Sequence, residues 1–335
     1  MSSSSRMTFD VANDSEPFLI MGRVKMILSI TLLLTLFGSA LFAEETPDGP
    51  PSFYGFCVDV PTTANLTISQ QAEMLHELGY DGVGYPLWFG ENLDQNLKIV
   101  DDAELELCLL YLPVNIDPAQ PAYDSRVPES FAKLKGRPVT ISVLLGGFPP
   151  GDPRGMEPAV KILRELGDLA AESDLKISIY HHLNDWSESL LFSLDVVKAV
   201  DHPNVGVNFN LCHWLKVDGD IFDVDATVQG RAGIQGRTTS NGRIGVKKDY
   251  RTMLRENADR IFAVTINGAQ CDATEWTGGL IQPLDRGDFD NEELMGVLQE
   301  IGYTGPIGLM CFGIPDEPRE HLERSMKVWN SWWEE

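Results

Sequence analysis

Polar side chains suited to proton transfer and hydroxyl binding occur at the end of one strand-like segment. The sequence VGVNFNLCHW (205–214) alternates apolar residues with Asn208 and Asn210, and His213 follows where a strand would end. Successive side chains of a strand point to opposite faces, so both amides are predicted to share one face. Buried amides are costly unless they bind something, which makes this segment a candidate wall of a polar pocket.

Two further strand-like segments supply the remaining catalytic candidates. LKISIYHH brings His182 and FAVTINGA brings Asn267, again in period-two alternation with apolar residues. Histidine exchanges protons near neutral pH, which suits removal of a proton beside a carbonyl. We predict that His182 is the general base and that His213 is the acid or electrophilic partner. Asn210 and Asn267 are predicted to hold the substrate oxygens.

Aromatic and polar side chains near the same strand ends are the predicted substrate contacts. They are Tyr85, Trp88, Tyr180, Asn208, Trp214, Asp285 and Arg286. A tryptophan would stack on a sugar ring, and the asparagines would bind hydroxyl groups. Structural alternatives stay open. Asn210 and His213 would then bond to each other, and Asp285 and Arg286 would form a surface ion pair of little energetic weight.

The segments that position these residues alternate eight times between strand-like and helix-like patterns. The predicted strands lie near residues 53–60, 82–87, 105–112, 139–145, 175–182, 205–210, 261–267 and 306–312. The predicted helices lie near residues 69–78, 93–103, 129–134, 156–171, 187–200, 250–258, 292–301 and 319–333. This order predicts an α/β fold, a single (β/α)8 TIM barrel with its catalytic groups at the C-terminal strand ends. An open doubly wound sheet would show a glycine-rich nucleotide loop after its first strand, and CVDVPTTAN offers none.

The first 43 residues are predicted to be a leader and signal peptide. Arg23 and Lys25 precede a mostly apolar run from Met26 to Phe42, with small residues around the expected cleavage site. A basic n-region followed by such a run is typical of export, which implies a periplasmic or extracellular protein. The alternative is a membrane anchor that is retained.

Residues 44–52 are predicted to form a Pro/Gly linker, and residues 53–335 are predicted to form the barrel. An insertion at about 218–249 interrupts the alternation of strands and helices. Its stretch DATVQGRAGIQGRTTSNGRIGVKK (225–248) is basic and rich in glycine within an acidic protein. It is either a surface insertion or a lid, because this loop belongs at the active-site face of the barrel.

The net charge limits the classes of binding partner, and the cysteine content bears on disulfide bonds and zinc sites. The net charge of -24 opposes binding to nucleic acid and to anionic membrane surfaces. It suits a protein that handles neutral small molecules, with no stable membrane insertion after signal cleavage. Five scattered cysteines are too few for a disulfide framework or a zinc cluster, so no disulfides are expected.

The chain resembles the xylose-isomerase-like TIM barrels, the sugar phosphate isomerase/epimerase family. The resemblance rests on VGVNFNLCHW, AVTINGA, LIQPLDRGDFD and GPIGL, and it covers nearly all of residues 54–332. It implies an isomerase or epimerase. Such enzymes typically hold a divalent metal with two glutamates, an aspartate and a histidine. The corresponding positions of this sequence are Tyr180, Asn210, Asn267 and Met310.

These replacements imply a degenerate metal site. Manganese and magnesium favour anionic oxygen ligands, which the four positions lack. A divalent metal (Mn, Co or Zn) stays an alternative, bound by His182 and His213 with Asp285 or Asp288 reaching in.

Two functions follow from the candidate residues and the resemblance. The first is an exported carbohydrate-active enzyme that isomerises, epimerises or eliminates on a sugar by proton abstraction beside a carbonyl. The alternative is a catalytically degenerate TIM barrel that binds a sugar. A nuclease is disfavoured by the acidic charge and the predicted export. The expected partner is a small-molecule carbohydrate, and a homo-oligomer stays open because related barrels often pair.

Overall fold

Parallel strands alternate with helices in this computed structural model, which describes residues 49–58, 66–85, 92–219 and 249–334. The predicted leader and signal peptide (1–43), Trp88 and most of the predicted insertion (220–248) lie outside the described residues. Export and the predicted domain boundaries therefore stay predictions. None of the described helices combines the length and the apolar character that crossing a bilayer requires.

The strands form one closed sheet. They are β1 (Phe53–Phe56), β2 (Gly82–Tyr85), β3 (Glu106–Asn115), β4 (Thr140–Gly146), β5 (Lys176–Tyr180), β6 (Val205–Asn210), β7 (Ile261–Ile266) and β8 (Ile307–Met310). Each strand pairs in parallel with the next, and β8 returns to pair with β1. The prediction of a (β/α)8 TIM barrel is confirmed.

The helices fall between the strands and after β8. They are α1 (Ile68–Glu77), α2 (Leu93–Asp102), α3 (Val127–Leu134), α4 (Met156–Ala171), α5 (Leu190–Val200), α6 (Leu211–Val217), α7 (Tyr250–Glu256), α8 (Asn291–Glu300) and α9 (Pro318–Ser331). Helix α6 departs from the sequence expectation, which placed no helix directly after β6. It begins there because the Asn210 side chain accepts a hydrogen bond from the His213 N–H and caps the first turn.

The two faces of the strands differ in chemistry. On the outer face, Phe53 stacks against Trp329 of α9, with the ring centroids 4.1 Å apart. On the inner face, buried polar groups bond across the barrel. Ser142 and Ser178 lie 2.7 Å apart through their hydroxyls, and Asn208 Nδ2 donates to Ser142 Oγ at 3.3 Å. These contacts agree with the period-two alternation and satisfy part of the hydrogen-bonding capacity of the buried groups, while Asn208 Oδ1 has no partner among the described residues.

Tyr54 fills the barrel interior next to two glycines. Its side chain is 1% exposed. A Cβ atom on Gly308 would lie 2.5 Å from Tyr54 Cζ, and one on Gly84 would lie 2.8 Å from Tyr54 Cε2. Glycine on both neighbouring strands therefore makes room for the tyrosine ring.

Replacement of Gly308 by alanine tests this packing. Gly308→Ala is expected to lower the free energy of unfolding by about 1–3 kcal/mol, because the added methyl group overpacks a rigid ring. Urea denaturation measures the change. Gly296→Ala on helix α8 is the control, since its Cβ would meet nothing within 4 Å. The control is expected to be neutral or to stabilise by up to about 1 kcal/mol. Equal stability of the two variants would contradict the packing argument.

Candidate active site

A cavity of about 990 Å³ opens at the C-terminal ends of the strands. Side chains from several strand ends and from the loops after them line it, among them Tyr111, Tyr180, His182, His213 and Met310. In TIM barrels this end carries the active site. Three of the predicted site residues, Tyr180, His182 and His213, therefore meet in one cavity.

His182 and His213 form a close pair in the cavity wall. Their ring centroids lie 4.5 Å apart. Burial lowers the pKa of His182, and it lowers the pKa of His213 well below its ordinary value, with His182 and His181 adding to the effect on His213. Both imidazoles are therefore neutral at pH 7.

The main chain of Leu183 fixes the tautomer of each ring in this pair. The Leu183 N–H lies 3.2 Å from His213 Nδ1, and His182 Nδ1 lies 2.9 Å from the Leu183 carbonyl oxygen. A backbone N–H can only donate, so His213 Nδ1 is the acceptor and its proton sits on Nε2. A carbonyl can only accept, so His182 Nδ1 carries the proton and its Nε2 keeps a lone pair. Leu183 therefore places a proton acceptor, Nε2 of His182, beside a hydrogen-bond donor, the Nε2–H of His213.

His181, which precedes His182 in the sequence, lies in the protein core and not in the cavity wall. His181 is fully buried, and its Nε2 accepts a hydrogen bond from the Asn210 N–H at 3.2 Å. Burial lowers the pKa of His181 to about 3. The ring does not line the cavity, so only the second histidine of the HH pair is placed for chemistry.

Asp185 adds a carboxyl group to the cavity three residues after His182. Burial, with a smaller contribution from the charge of Glu188, raises the pKa of Asp185 to about 7. Its Oδ2 atom is buried and has no hydrogen-bond partner among the described residues. Near neutral pH this group therefore exists in both protonation states, which suits a residue that exchanges protons.

The three predicted amides do not line the cavity. Asn210 is fully buried, donating to Tyr180 Oη at 2.9 Å and to Thr265 Oγ1 at 2.5 Å. Asn267 donates to the carbonyls of Gly268 and Leu280, and Asn208 lies deeper on the inner face of β6. These amides bond to protein groups, so the structure assigns the first two to support of the barrel mouth rather than to contact with substrate oxygens.

Four predicted substrate contacts also lie away from the cavity lining. Tyr85 and Trp214 are 3% and 1% exposed and belong to the core. Asp285 pairs with Arg324 at 2.9 Å, and Arg286 pairs with Asp316 at 3.0 Å. The structural alternative was an ion pair between Asp285 and Arg286. Both residues do form ion pairs, but each pairs with another residue and not with the other.

The cavity contains an aromatic residue that the strand pattern did not identify. Trp276, in the loop after β7, lines the cavity and contacts the His213 ring edge-on with the centroids 5.1 Å apart. Trp276 therefore presents a tryptophan ring to the cavity, whereas the predicted Trp214 lies in the core. Trp276 carries no period-two signal, because it lies ten residues beyond β7. Asp185 had a clearer signal, as an acidic residue directly after the HHLN sequence.

The residues at the family's metal positions do not fit a divalent metal. Tyr180 and Met310 offer no carboxylate, and the amide oxygen of Asn210 already accepts hydrogen bonds from Cys212 Sγ and the His213 N–H. Asn267 offers a single neutral amide oxygen, which is buried and has no hydrogen-bond partner among the described residues. Asp285 is engaged by Arg324, and Asp288 accepts from Cys271 N and Gln270 Nε2. Within the described ranges, no group of three or more His, Cys, Asp or Glu side chains is placed to hold a metal ion.

The fold and the site define a TIM-barrel protein with a histidine pair at the C-terminal ends of its strands. A model of the Xylose isomerase-like TIM barrel family matches residues 72–332. The chain belongs to that family. A search of curated protein sequences finds no match.

Solved structures with the same fold are named as an endonuclease and as epimerases. AP endonuclease, family 2, from Brucella melitensis has a TM-score of 0.58 and 15% identity, covering 85% of this chain and 100% of that one. D-allulose 3-epimerase from Methylomonas sp. has a TM-score of 0.58 and 14% identity, covering 85% and 99%. The 3-keto-D-glucoside 4-epimerase YcjR from E. coli has a TM-score of 0.59 and 13% identity, covering 84% and 100%. Identities this low show a shared fold alone.

Replacement of Asp185 by asparagine tests its environment through stability. Because the pKa of Asp185 is raised from 3.8 to about 7, the folded state prefers the neutral carboxyl. The destabilising effect of ionisation therefore grows as pH rises from about 4 through 7. Asp185→Asn is expected to raise the melting temperature at pH 8 by about 2–4 °C, the shift that roughly 1 kcal/mol produces in a large domain, and to change it little at pH 4.

Asp124→Asn serves as the control with the opposite sign. Hydrogen bonds from Arg126 lower the pKa of Asp124 to about 2, so its charged form stabilises the fold at pH 8. Its replacement is expected to lower the melting temperature there. An Asp185→Asn variant that is less stable than the wild type at pH 8 would contradict the assigned environment.

Proposed function

We propose that this protein removes a proton next to the carbonyl group of a sugar or keto-sugar, and so isomerises, epimerises or eliminates on it. The observation that carries the proposal is the pair of opposite tautomers that Leu183 fixes on His182 and His213. The Nε2 lone pair of His182 accepts the proton. The Nε2–H of His213 donates a hydrogen bond to the carbonyl oxygen as negative charge develops there.

The neutral state of His213 suits this task. A desolvated neutral imidazole can donate a hydrogen bond to a developing enolate oxygen without introducing a buried charge. The lowered pKa of His182 keeps its lone pair available below neutral pH. Proximity of the rings, 4.5 Å between centroids, allows both to act on adjacent atoms of one substrate.

Asp185 supplies the second proton-exchanging group. A reaction that returns the proton to another atom, or to the other face of the same atom, needs a second acid or base. The pKa of about 7 provides protonated Asp185 near neutral pH. Asp185 lines the same cavity as both histidines.

Carbohydrate is the substrate class that the remaining evidence supports. Two structural relatives are named as epimerases of D-allulose and of a 3-keto-D-glucoside. The relative named as an endonuclease shares the fold, but the net charge of -24 opposes a polyanionic substrate. We also propose that the protein acts outside the cytoplasm, on the strength of the predicted signal peptide alone.

Proton exchange in deuterated water tests the function whichever product forms. The protein is incubated with D-allulose, D-tagatose and a 3-keto-D-glucoside, and NMR follows replacement of the carbon-bound proton beside each carbonyl. We expect exchange on at least one compound. His182→Ala is expected to slow it at least about a hundredfold, because the general base is lost. Circular dichroism should show that the variant remains folded.

His76→Ala is the matched control for this experiment. His76 is an exposed histidine on α1, outside the cavity, and its replacement should leave exchange unchanged. Exchange that survives in the His182→Ala variant would remove His182 as the base. Sugar binding with no exchange on any compound would favour the alternative of a catalytically degenerate sugar-binding barrel, which the replaced carboxylates motivate.

Chelation tests the proposal that this chemistry needs no metal. Because the donor set at the family's metal positions does not fit a divalent ion, dialysis against EDTA is expected to change the exchange rate less than about twofold. Elemental mass spectrometry of untagged protein should find less than one metal per chain. Loss of exchange on chelation, with recovery on addition of Mn²⁺, Co²⁺ or Zn²⁺, would instead establish a metal-dependent enzyme.

A further inference from the structure

Most of the cavity wall beyond the histidines consists of carbon. Polar side chains without a protein partner for every group concentrate at His182, Asp185 and His213. Elsewhere in the lining, Asn115 accepts a hydrogen bond from the Asp117 N–H. The lining also contains the tyrosines Tyr111, Tyr123 and Tyr180, of which Tyr123 Oη donates to Glu165 and Tyr180 Oη accepts from Asn210. The apolar residues come from the C-terminal parts of β3, β4 and β8 and from the segments after β7 and β8. They include Pro113, Val114, Leu144, Ile281, Met310 and Phe312.

A free sugar does not match this wall. The volume of about 990 Å³ is at the upper end of the range of small-molecule sites, about 300–1,000 Å³. Hydroxyl groups placed against carbon lose their hydrogen bonds to water and gain none. A polyol would therefore occupy the polar part of the cavity and leave the apolar part unused.

Phe312 shows where an apolar group would dock. It lines the cavity and is 42% exposed, the one large hydrophobic side chain so exposed among the described residues. Removing its ring from water is favourable in proportion to the area covered. Trp276 connects the apolar wall to the histidine pair, because its ring contacts His213 with the centroids 5.1 Å apart. An occupant of the wall is therefore adjacent to the catalytic groups.

We infer that the site takes a glycoside whose aglycone is apolar and aromatic. The sugar ring lies at His182 and His213, and the aglycone lies against Leu144, Phe312 and Trp276. This inference rests on the proposed function for the position of the sugar. A glycosidic bond occupies the anomeric carbon, so the reacting carbonyl is a keto group elsewhere on the ring.

The chemistry balances without a further reactant. The C–H bond beside the keto group breaks, its proton passes to His182 Nε2, and its electron pair forms the enolate whose oxygen His213 holds. Donation of a proton from Asp185 to the opposite face of the same carbon gives the epimer, and solvent then restores the protonation of His182 and Asp185. In the elimination, the enolate electron pair forms a carbon–carbon double bond as the bond from the next carbon to its oxygen substituent breaks. That substituent leaves as water or an alcohol with the proton of Asp185.

Isothermal titration calorimetry with glycoside pairs tests the aglycone site by binding alone. The probes are phenyl and methyl β-D-glucopyranoside, and phenyl and methyl β-D-galactopyranoside. We expect the phenyl glycoside of at least one sugar to bind about tenfold tighter than its methyl counterpart, because the phenyl ring buries additional apolar area. Phe312→Ser should reduce this ratio below about threefold, because the ring that covers the phenyl group is lost.

Leu144→Asn is a second variant in the opposite wall and should reduce the same ratio. Ile162→Ser on α4 is the matched control, a partly buried apolar residue outside the cavity, and should leave the ratio unchanged. Equal affinities for phenyl and methyl glycosides, or no binding of either, would overturn the inference. So would a phenyl preference that persists in both cavity variants.

The His182→Ala variant separates this inference from the proposed function. If that variant loses proton exchange but keeps the phenyl preference, both proposals stand. If wild-type and variant proteins exchange protons equally while the phenyl preference depends on Phe312, the proposed chemistry fails and the aglycone site stands.

Discussion

The side chain of Asn210 connects three strands to the helix that carries His213. Its Nδ2 donates to Tyr180 on β5 and to Thr265 on β7, and its Oδ1 accepts from Cys212 Sγ and from the His213 N–H. The last bond starts α6 and so places the His213 ring within reach of the Leu183 N–H. An ionised aspartate could not donate the first two bonds, which explains in physical terms why an amide suits this position.

Burial by the surrounding protein sets the protonation of the groups in the site. Desolvation lowers the pKa of both cavity histidines and raises that of Asp185 to about 7, so at neutral pH both imidazoles are neutral and Asp185 is present in both protonation states. An ionised Asp185 with a cationic partner would stabilise the fold. The desolvated Asp185 of this site does not, and such a loss of stability is common at functional sites.

Local pattern predicted most of the fold and part of the site. Period-two alternation identified the strands, and the strand ends placed His182 and His213 correctly in one cavity. The amides were assigned to the right face, but alternation does not reveal depth, and Asn208 lies well below the mouth. Trp276, and the partners of Asp285 and Arg286, depend on how a loop folds over the barrel end. That arrangement is set by contacts distant in sequence, which local pattern cannot supply.

Two positions where the resemblance places glutamates also form part of the cavity wall. They are Tyr180 and Met310. An aromatic ring and a thioether at these positions present carbon surface and no carboxylate to the cavity. Under the proposed function, the hydrogen bond from neutral His213 stabilises the enolate in a desolvated setting, so that chemistry requires no carboxylate cage. The electrostatics of the proposed reaction and the apolar surface offered to the substrate therefore depend on the same two positions.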